Sequence, residues 1–216
     1  MGEFTTILKD ETAEIVEKKS KFIANIFYVE TIEEAEEKIK AIKKQYHDAR
    51  HNCVAYRVAE SENGQIIEKS SDDGEPSGTA GGPMLNILQK NNLCNIVVIV
   101  TRYFGGILLG TGGLVRAYSD ATQKAIEKCI KVYKVEGIEI EVKLDYPNLE
   151  IFKHYCKNND IKITNIEYGE DIVLKIEMEK IRKNIFLKDI DTKTLNVKKY
   201  QVIQEKFINK TVEKNK

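Results

Sequence analysis

The sequence predicts an α+β fold in two domains, the second of them ferredoxin-like, and three observations lead there. Apolar residues recur at helical spacing in some windows and at alternate positions in others, so helices and strands are mixed along the chain. After Gly137 the pattern runs strand, helix, strand, strand, helix, strand, which is the βαββαβ order of the ferredoxin-like unit. The 216 residues, 42% hydrophobic and 31% charged, suffice to bury real cores without disulfide or metal staples, and they exclude a disordered chain.

Phe4 to Leu8 and Phe22 to Val29 have strand patterns, and the alternation of Ala13, Ile15 and Glu17 between them is also strand-like, so the chain is expected to open with a meander. Thr31 followed by Glu34 makes a capping box, and Ile32, Ala35, Ile39, Ile42 and Tyr46 then repeat at helical spacing, predicting a helix over 31–46. Cys53 to Val58 and Ile66 to Lys69 form a hairpin turning at Asn63-Gly64, a dipeptide that accepts positive φ. A further helix is expected from about Met84. Asn95 to Thr101 is apolar on both alternating faces, as in a strand covered on both sides, and serves as the spine of the first domain. Beyond it Val115, Tyr118, Ala121, Ala125, Ile126 and Cys129 give a helix that opens just after Gly112-Gly113. In the second domain the expected elements are strand 138–144, helix 147–158, strand 161–168, a turn at Gly169-Glu170, strand 172–178, a helix near 181–190 and strand 195–203. The first domain is expected to span 1–134 and the second 137–207, with a polar, frayed tail over 208–216.

Composition narrows the function classes. The longest apolar run, Ile96 to Val100, is far short of the ~20 residues a spanning helix needs, so no membrane partner is expected. No basic start leading into an apolar stretch follows Met1, and a cytoplasmic address is the default expectation. Cys53, Cys94, Cys129 and Cys156 lie far apart without a CxxC pair and fit reduced core thiols. Thirty-four basic residues balance thirty-four acidic ones, so any attraction to nucleic acid must be local. Only five of the basic residues are Arg, and four of these, Arg50, Arg57, Arg102 and Arg116, precede residue 120. There a planar fork suits carboxylate or phosphate.

Nine of the thirteen glycines and two of the three prolines fall between Gly74 and Gly113. A glycine inside an element costs roughly 0.5–1 kcal/mol, so such a cluster implies that positive φ or a close approach is being accommodated. Tight packing of loops around a sheet edge is the plainer alternative. Two stretches make the block. One runs from Asp72 through Gly74, Glu75, Ser77 and Thr79 to Pro83 and leads into a helix; the other runs from Thr101 through Gly105-Gly106 to Gly112-Gly113 and opens the next helix. Both put unpaired N–H groups at helix starts, which favours an anion, and Arg102 and Arg116 add charge. The candidate binding residues are Asp72, Asp73, Glu75, Ser77, Gly78, Thr79, Arg102, Tyr103, Gly105, Gly106, Gly112, Gly113 and Arg116, with a phosphate, a carboxylate or a nucleic-acid backbone as the expected guest. Three uses stay open for Asp72, Asp73 and Glu75: holding a hard cation, pairing with Arg102 and Arg116, or making turns, with the last two preferred. If Arg102 grips a guest, Arg102→Ala should abolish binding and leave the melting temperature nearly unchanged.

Ser20-Lys21-Phe22-Ile23-Ala24, the Asp72–Pro83 stretch and the Thr101–Leu114 stretch resemble the corresponding segments of the YigZ/IMPACT family of bacterial and eukaryotic proteins. The resemblance covers essentially the whole chain. It implies a ribosomal protein S-five domain-two-like fold for the first domain, a four-stranded sheet backed by helices, followed by a ferredoxin-like domain similar to the last domain of elongation factor G. It also implies a loose tie to translation or RNA. Eukaryotic members act by protein–protein contact in translational control, restraining a kinase that responds to amino-acid starvation. Nothing here resembles their partner-binding extension, so restraint of that kinase is not implied for this chain.

No motif points to a reaction or a cofactor. Gly110-Thr111-Gly112-Gly113 is followed by Leu114 and Val115, which is not the ending of a P-loop, and GxGxxG, GxSxG and HExxH are absent. His47, His51 and Cys53 make His-x3-His-x-Cys, which fits packing better than zinc, and no metal is expected. Cys53 or Cys94 as a nucleophile lacks any supporting signature. The expectation is therefore a non-catalytic binding or regulatory protein that contacts RNA, the ribosome or a translation-related protein. The alternative is an enzyme or sensor holding a small phosphorylated, anionic molecule in the same cleft, with its catalytic residues unknown.

Overall fold

The strand signals near the start of the chain become β1 (Glu3–Ile7), β2 (Glu11–Glu17) and β3 (Ser20–Tyr28). After them come α1 (Ile32–Gln45), β4 (His51–Ala59), β5 (Ile66–Ser71), α2 (Gly81–Lys90), β6 (Ile96–Tyr103) and α3 (Thr111–Lys128). The computed structural model describes residues 3–59 and 65–210, so the Asn63-Gly64 turn lies outside the described residues. The chain divides into two units, one from Glu3 to Val132 and one from Tyr133 onward. In the first, an antiparallel sheet has the order β2-β3-β6-β4-β5, one strand more than the resemblance implies. β1 lies outside this sheet, and Cys94 N donates to Thr5 O at 2.9 Å, so the expected meander reduces to a β2–β3 hairpin.

β6 is the central strand, and its alternation separates two cores. Ile96, Val98 and Val100 pack with Phe22, Cys53, Leu88 and Tyr118 under α2 and α3, while Val97 and Ile99 pack with Ile39, Ile42, Val54 and Tyr56 under α1. Each fully buried aliphatic side chain contributes about 1.5–3 kcal/mol, so this strand anchors the unit. At α1 the Thr31 hydroxyl accepts from Glu34 N at 3.2 Å, and the Glu34 carboxylate reaches back to Glu30 N at 2.7 Å, one residue before the cap. α2 starts at Gly81 rather than near Met84, and α3 at Thr111 rather than after Gly113. Pro83 falls in the first turn of α2, where the missing N–H has no helical partner to lose.

The second half comprises β7 (Lys131–Leu144), a 3-10 turn at Tyr146–Asn148, α4 (Leu149–Asn158), β8 (Lys162–Tyr168), β9 (Ile172–Glu179), α5 (Lys183–Asp191) and β10 (Lys199–Asn209). The strands run β10-β7-β9-β8, all antiparallel, which is the ferredoxin-like arrangement. β7 runs through Gly137 instead of restarting after it. A Cβ there would lie 2.7 Å from the Ile208 side chain, so this glycine serves packing in mid-strand. β10 begins later than expected, because Leu195 is buried in the preceding connection.

One face of this second sheet is apolar, with Ile138, Ile140 and Val142 of β7 and Leu174, Ile176 and Met178 of β9 packed against Phe152 and Phe186. The other face is charged: Lys206 Nζ bridges Glu139 Oε2 and Glu177 Oε1, each at 2.7 Å. Between α4 and α5, Tyr155, Ile161 and Phe186 line a cleft of about 30 Å³, room for roughly two water-sized groups and too little for a small-molecule ligand. Among the described residues no helix is long and apolar enough to cross a membrane.

Candidate binding surface of the two glycine-rich loops

Strand register gathers Ser20, Phe22, His51, Cys53 and Arg102 at one end of the first sheet; Phe22 and His51 both stand opposite Arg102 across the ladder. Arg102 follows Ile96, Val98 and Val100 at even spacing, so its side chain enters the core under α3 instead of solvent. The residue is 7% exposed, and Nη1 donates to Glu75 Oε1 at 2.7 Å. The same carboxylate oxygen accepts from the Tyr118 hydroxyl at 2.8 Å. The guanidinium lies 5.5 Å from the centres of both the Phe22 and Phe104 rings. Phe22 meets Tyr118 edge-on at 5.2 Å. Nη2 reaches Ser20 Oγ at 3.5 Å, while Nε has no partner among the described residues. Arg102 is thus not the open guanidinium expected to grip a guest, since its charge is met by Glu75. The expectation for Arg102→Ala reverses, because an unpaired buried carboxylate costs about 3–5 kcal/mol.

The first loop, residues 72–80, is closed by its own acids. Asp72 Oδ1 accepts from Ala80 N and Gly81 N, both at 2.9 Å, and Oδ2 from Gly78 N at 2.8 Å. Burial opposes its charge, yet the Gly78, Gly81 and Ala80 N–H groups outweigh that and hold the carboxyl below its ordinary value. Asp72 therefore fills the start of α2, the place where an anionic guest was expected. Asp73 accepts from Asn52 N at 2.8 Å and pairs with Lys43 at 2.6 Å. Thr79 Oγ1 donates to Pro76 O at 2.6 Å, while Ser77 and Gly78 are exposed.

His51 and Cys53, two apart on β4 and so on one face, both hold this loop: His51 Nδ1 lies 3.0 Å from Asp73 O, and Cys53 Sγ donates to Asp72 O at 3.0 Å. Among the described residues no group of three or more His, Cys, Asp or Glu is placed to hold a metal. Burial pushes the Cys53 thiol up to about 12, which keeps it protonated and a poor nucleophile near neutral pH.

The second loop, residues 104–110, is locked at its ends and open at its tip. Gly105 N donates to Ser20 Oγ at 3.1 Å, and a Cβ at Gly105 would lie 2.0 Å from the Lys19 carbonyl carbon, so no other residue fits. At the far end Leu109 is 9% exposed, and Gly113 packs on it. Between these anchors Gly106 and Gly110 take φ of 83° and 74°, and Phe104, Ile107 and Leu108 stand 53%, 42% and 82% exposed. Gly110 caps α3 without a side-chain acceptor, and Gly112 in the first turn has nothing within 4 Å of where a Cβ would sit. Arg116 is exposed and makes no ion pair among the described residues. Tyr103 points away from Arg102 and donates to Asp48 at 2.7 Å; that bond, with burial second, pushes its hydroxyl up to about 12.

The Glu75–Arg102 pair and the Arg102–Phe104 contact bring the two loops together. Sequence reasoning missed Ser20 and Tyr118 as partners in this network and Phe104, Ile107 and Leu108 as its exposed tip. Spacing along β6 says only that Arg102 shares a face with Ile96, Val98 and Val100, so no local pattern pointed to Ser20 and Tyr118, whereas the aliphatic run inside a glycine-rich stretch was the signal for the tip.

Comparison with known proteins follows the same division of the chain. The Impact N-terminal domain matches residues 18–126, and a domain of unknown function, DUF1949, matches residues 142–194. The chain is 38% identical over 183 residues to IMPACT family member YvyE of Bacillus subtilis, covering 85% of this chain and 83% of that protein. It is 35% identical over 161 residues to IMPACT family member YigZ of Escherichia coli, covering 74% and 78%. A crystal structure described as that of a hypothetical protein superposes with a TM-score of 0.62 at 31% identity, over 95% of this chain and 100% of that one.

Proposed function

This chain belongs to the IMPACT family, and from that premise we propose that it is a non-catalytic binding or regulatory protein of the cytoplasm, linked to translation, that meets its partner through the tip of the second loop. The observation that carries the proposal is the exposure of Phe104, Ile107 and Leu108 on a loop whose two ends are locked. Large apolar side chains held together at the surface gain only when something covers them. Of the groups expected to grip a free anion, the N–H groups at the start of α2 are taken by Asp72 and Arg102 by Glu75, and those that stay open among the described residues, Arg116 and the start of α3, adjoin an apolar loop. That distribution supports docking of a macromolecule over capture of a small phosphorylated molecule.

The tie to translation, implied by the family resemblance, makes the ribosome the first partner to test. Full-length protein is sedimented with purified ribosomes through a sucrose gradient. The wild type should travel with ribosomes or a subunit, and Leu108→Asp should stay at the top. Equal sedimentation of both would remove the loop from the contact. No sedimentation, together with a strong thermal shift from one phosphorylated metabolite, would favour a small-ligand site.

A further inference from the structure

We propose that the segment docking on the second loop is an acidic stretch of protein, offering apolar side chains to Phe104, Ile107 and Leu108 and carboxylates to Lys18, Lys19 and Arg116. The inference rests on the reading that this loop is the partner surface, and it adds the partner's chemistry. From Thr101 to Ser119 the chain has no acidic residue, and its two charged residues are both Arg. Arg102 is paired with Glu75, which leaves Arg116 facing solvent. Lys18 and Lys19 form the β2–β3 turn, and the Lys19 backbone lies against Gly105, next to Phe104. Both lysines are exposed and make no ion pair among the described residues.

The acids bordering the loops are mostly engaged: Asp72 with backbone N–H groups, Asp73 with Lys43, Asp48 with Tyr103 and Glu14 with Lys21. Glu17 at the end of β2 and Asp120 one turn beyond Arg116 remain against three exposed cations, so the turn packed on Gly105 and the helix that follows the loop together carry more positive than negative charge free to meet a partner. Opposite charge around an apolar contact sets partner choice and speeds encounter. A single-stranded nucleic acid would instead be met by aromatic side chains interleaved with cations. Here the most exposed group is Leu108, with neither charge nor a flat face, and Phe104 already covers Arg102.

The test presents immobilised full-length protein with a random peptide library displayed on phage and, in parallel, titrates it into fluorescent single-stranded RNA of mixed sequence. Selected peptides should be rich in Asp or Glu beside Leu, Ile or Phe. Leu108→Asp should weaken them by roughly tenfold or more, and Lys19→Glu with Arg116→Glu should weaken them and flatten their salt dependence. These side chains are exposed, so unchanged melting temperatures serve as the folding control. Peptides without acidic residues, or peptides indifferent to Leu108→Asp, overturn the proposal. RNA binding that Leu108→Asp abolishes, with no peptide selected, overturns the acidic-protein partner and keeps the loop as the docking surface. No binding to either probe, with ribosome sedimentation also indifferent to Leu108→Asp, overturns the loop reading itself.

Discussion

A single carboxylate, Asp72, closes the first loop and caps α2 at once, through three backbone N–H groups. Its ionised form is the bonded one, and its folded pKa lies below the ordinary 3.8. The cap's contribution is therefore complete above that value and is lost as pH falls through the folded pKa. Asp72→Asn keeps the shape without the charge, so its stability, read by thermal melts across the acid range, should fall less steeply below pH 3.8 than that of the wild type. Parallel curves would mean that the charge adds nothing. Glu75 shows the same economy of bonding deeper in the core, where one oxygen receives both the Arg102 guanidinium and the Tyr118 hydroxyl. Burial, first among its causes, pushes the Tyr118 hydroxyl above its ordinary value, which keeps it a donor to that carboxylate.

Glycines that look alike in the sequence do different jobs once the elements are assembled. Gly105 sits against the β2–β3 turn with no room for a Cβ, whereas Gly112 faces open space in the first turn of α3. Gly105→Ala should lower the melting temperature and loosen the second loop, while Gly112→Ala should stabilise by about 0.5–1 kcal/mol through helix propensity. Circular-dichroism melts of the two variants check this, and a fall for Gly112→Ala would show that the position is constrained within the fold. In the second sheet, Glu139 and Glu177 face one another across β7 and β9, and Lys206 from β10 stands between them. Lys206→Met leaves two carboxylates in direct opposition and should cost up to about 1 kcal/mol, more at low salt than at high. Urea unfolding at two ionic strengths measures it, and salt-independent loss would assign the effect to packing alone.

Across the whole molecule, what was legible in the sequence is what neighbouring residues decide. The α1 helix follows from Thr31, Glu34 and the Ile39–Ile42 stripe, and the βαββαβ order follows from local periodicity, so both emerge as expected. The starts of α2 and α3 were placed late, because the cap for α2 comes from Asp72 nine residues before Gly81, and glycines hide the first turn of α3 from any apolar pattern. β1 could not be assigned to its place outside the first sheet, since its tie at Thr5 and Cys94 joins residues far apart in the chain. In the candidate surface, the clustering of glycines marked two loops that the fold brings together. Whether their arginine faced outward depended on which face of β6 lies under α3, and only the assembled sheet decides that.

The account stands on a division of labour between a buried, paired Arg102 and an exposed, unpaired Leu108. Equilibrium urea unfolding of Arg102→Ala beside Leu108→Asp tests it most directly. The account predicts a loss of about 3–5 kcal/mol for Arg102→Ala and a change within about 0.5 kcal/mol for Leu108→Asp. An unchanged midpoint for Arg102→Ala, or a large fall for Leu108→Asp, would contradict it.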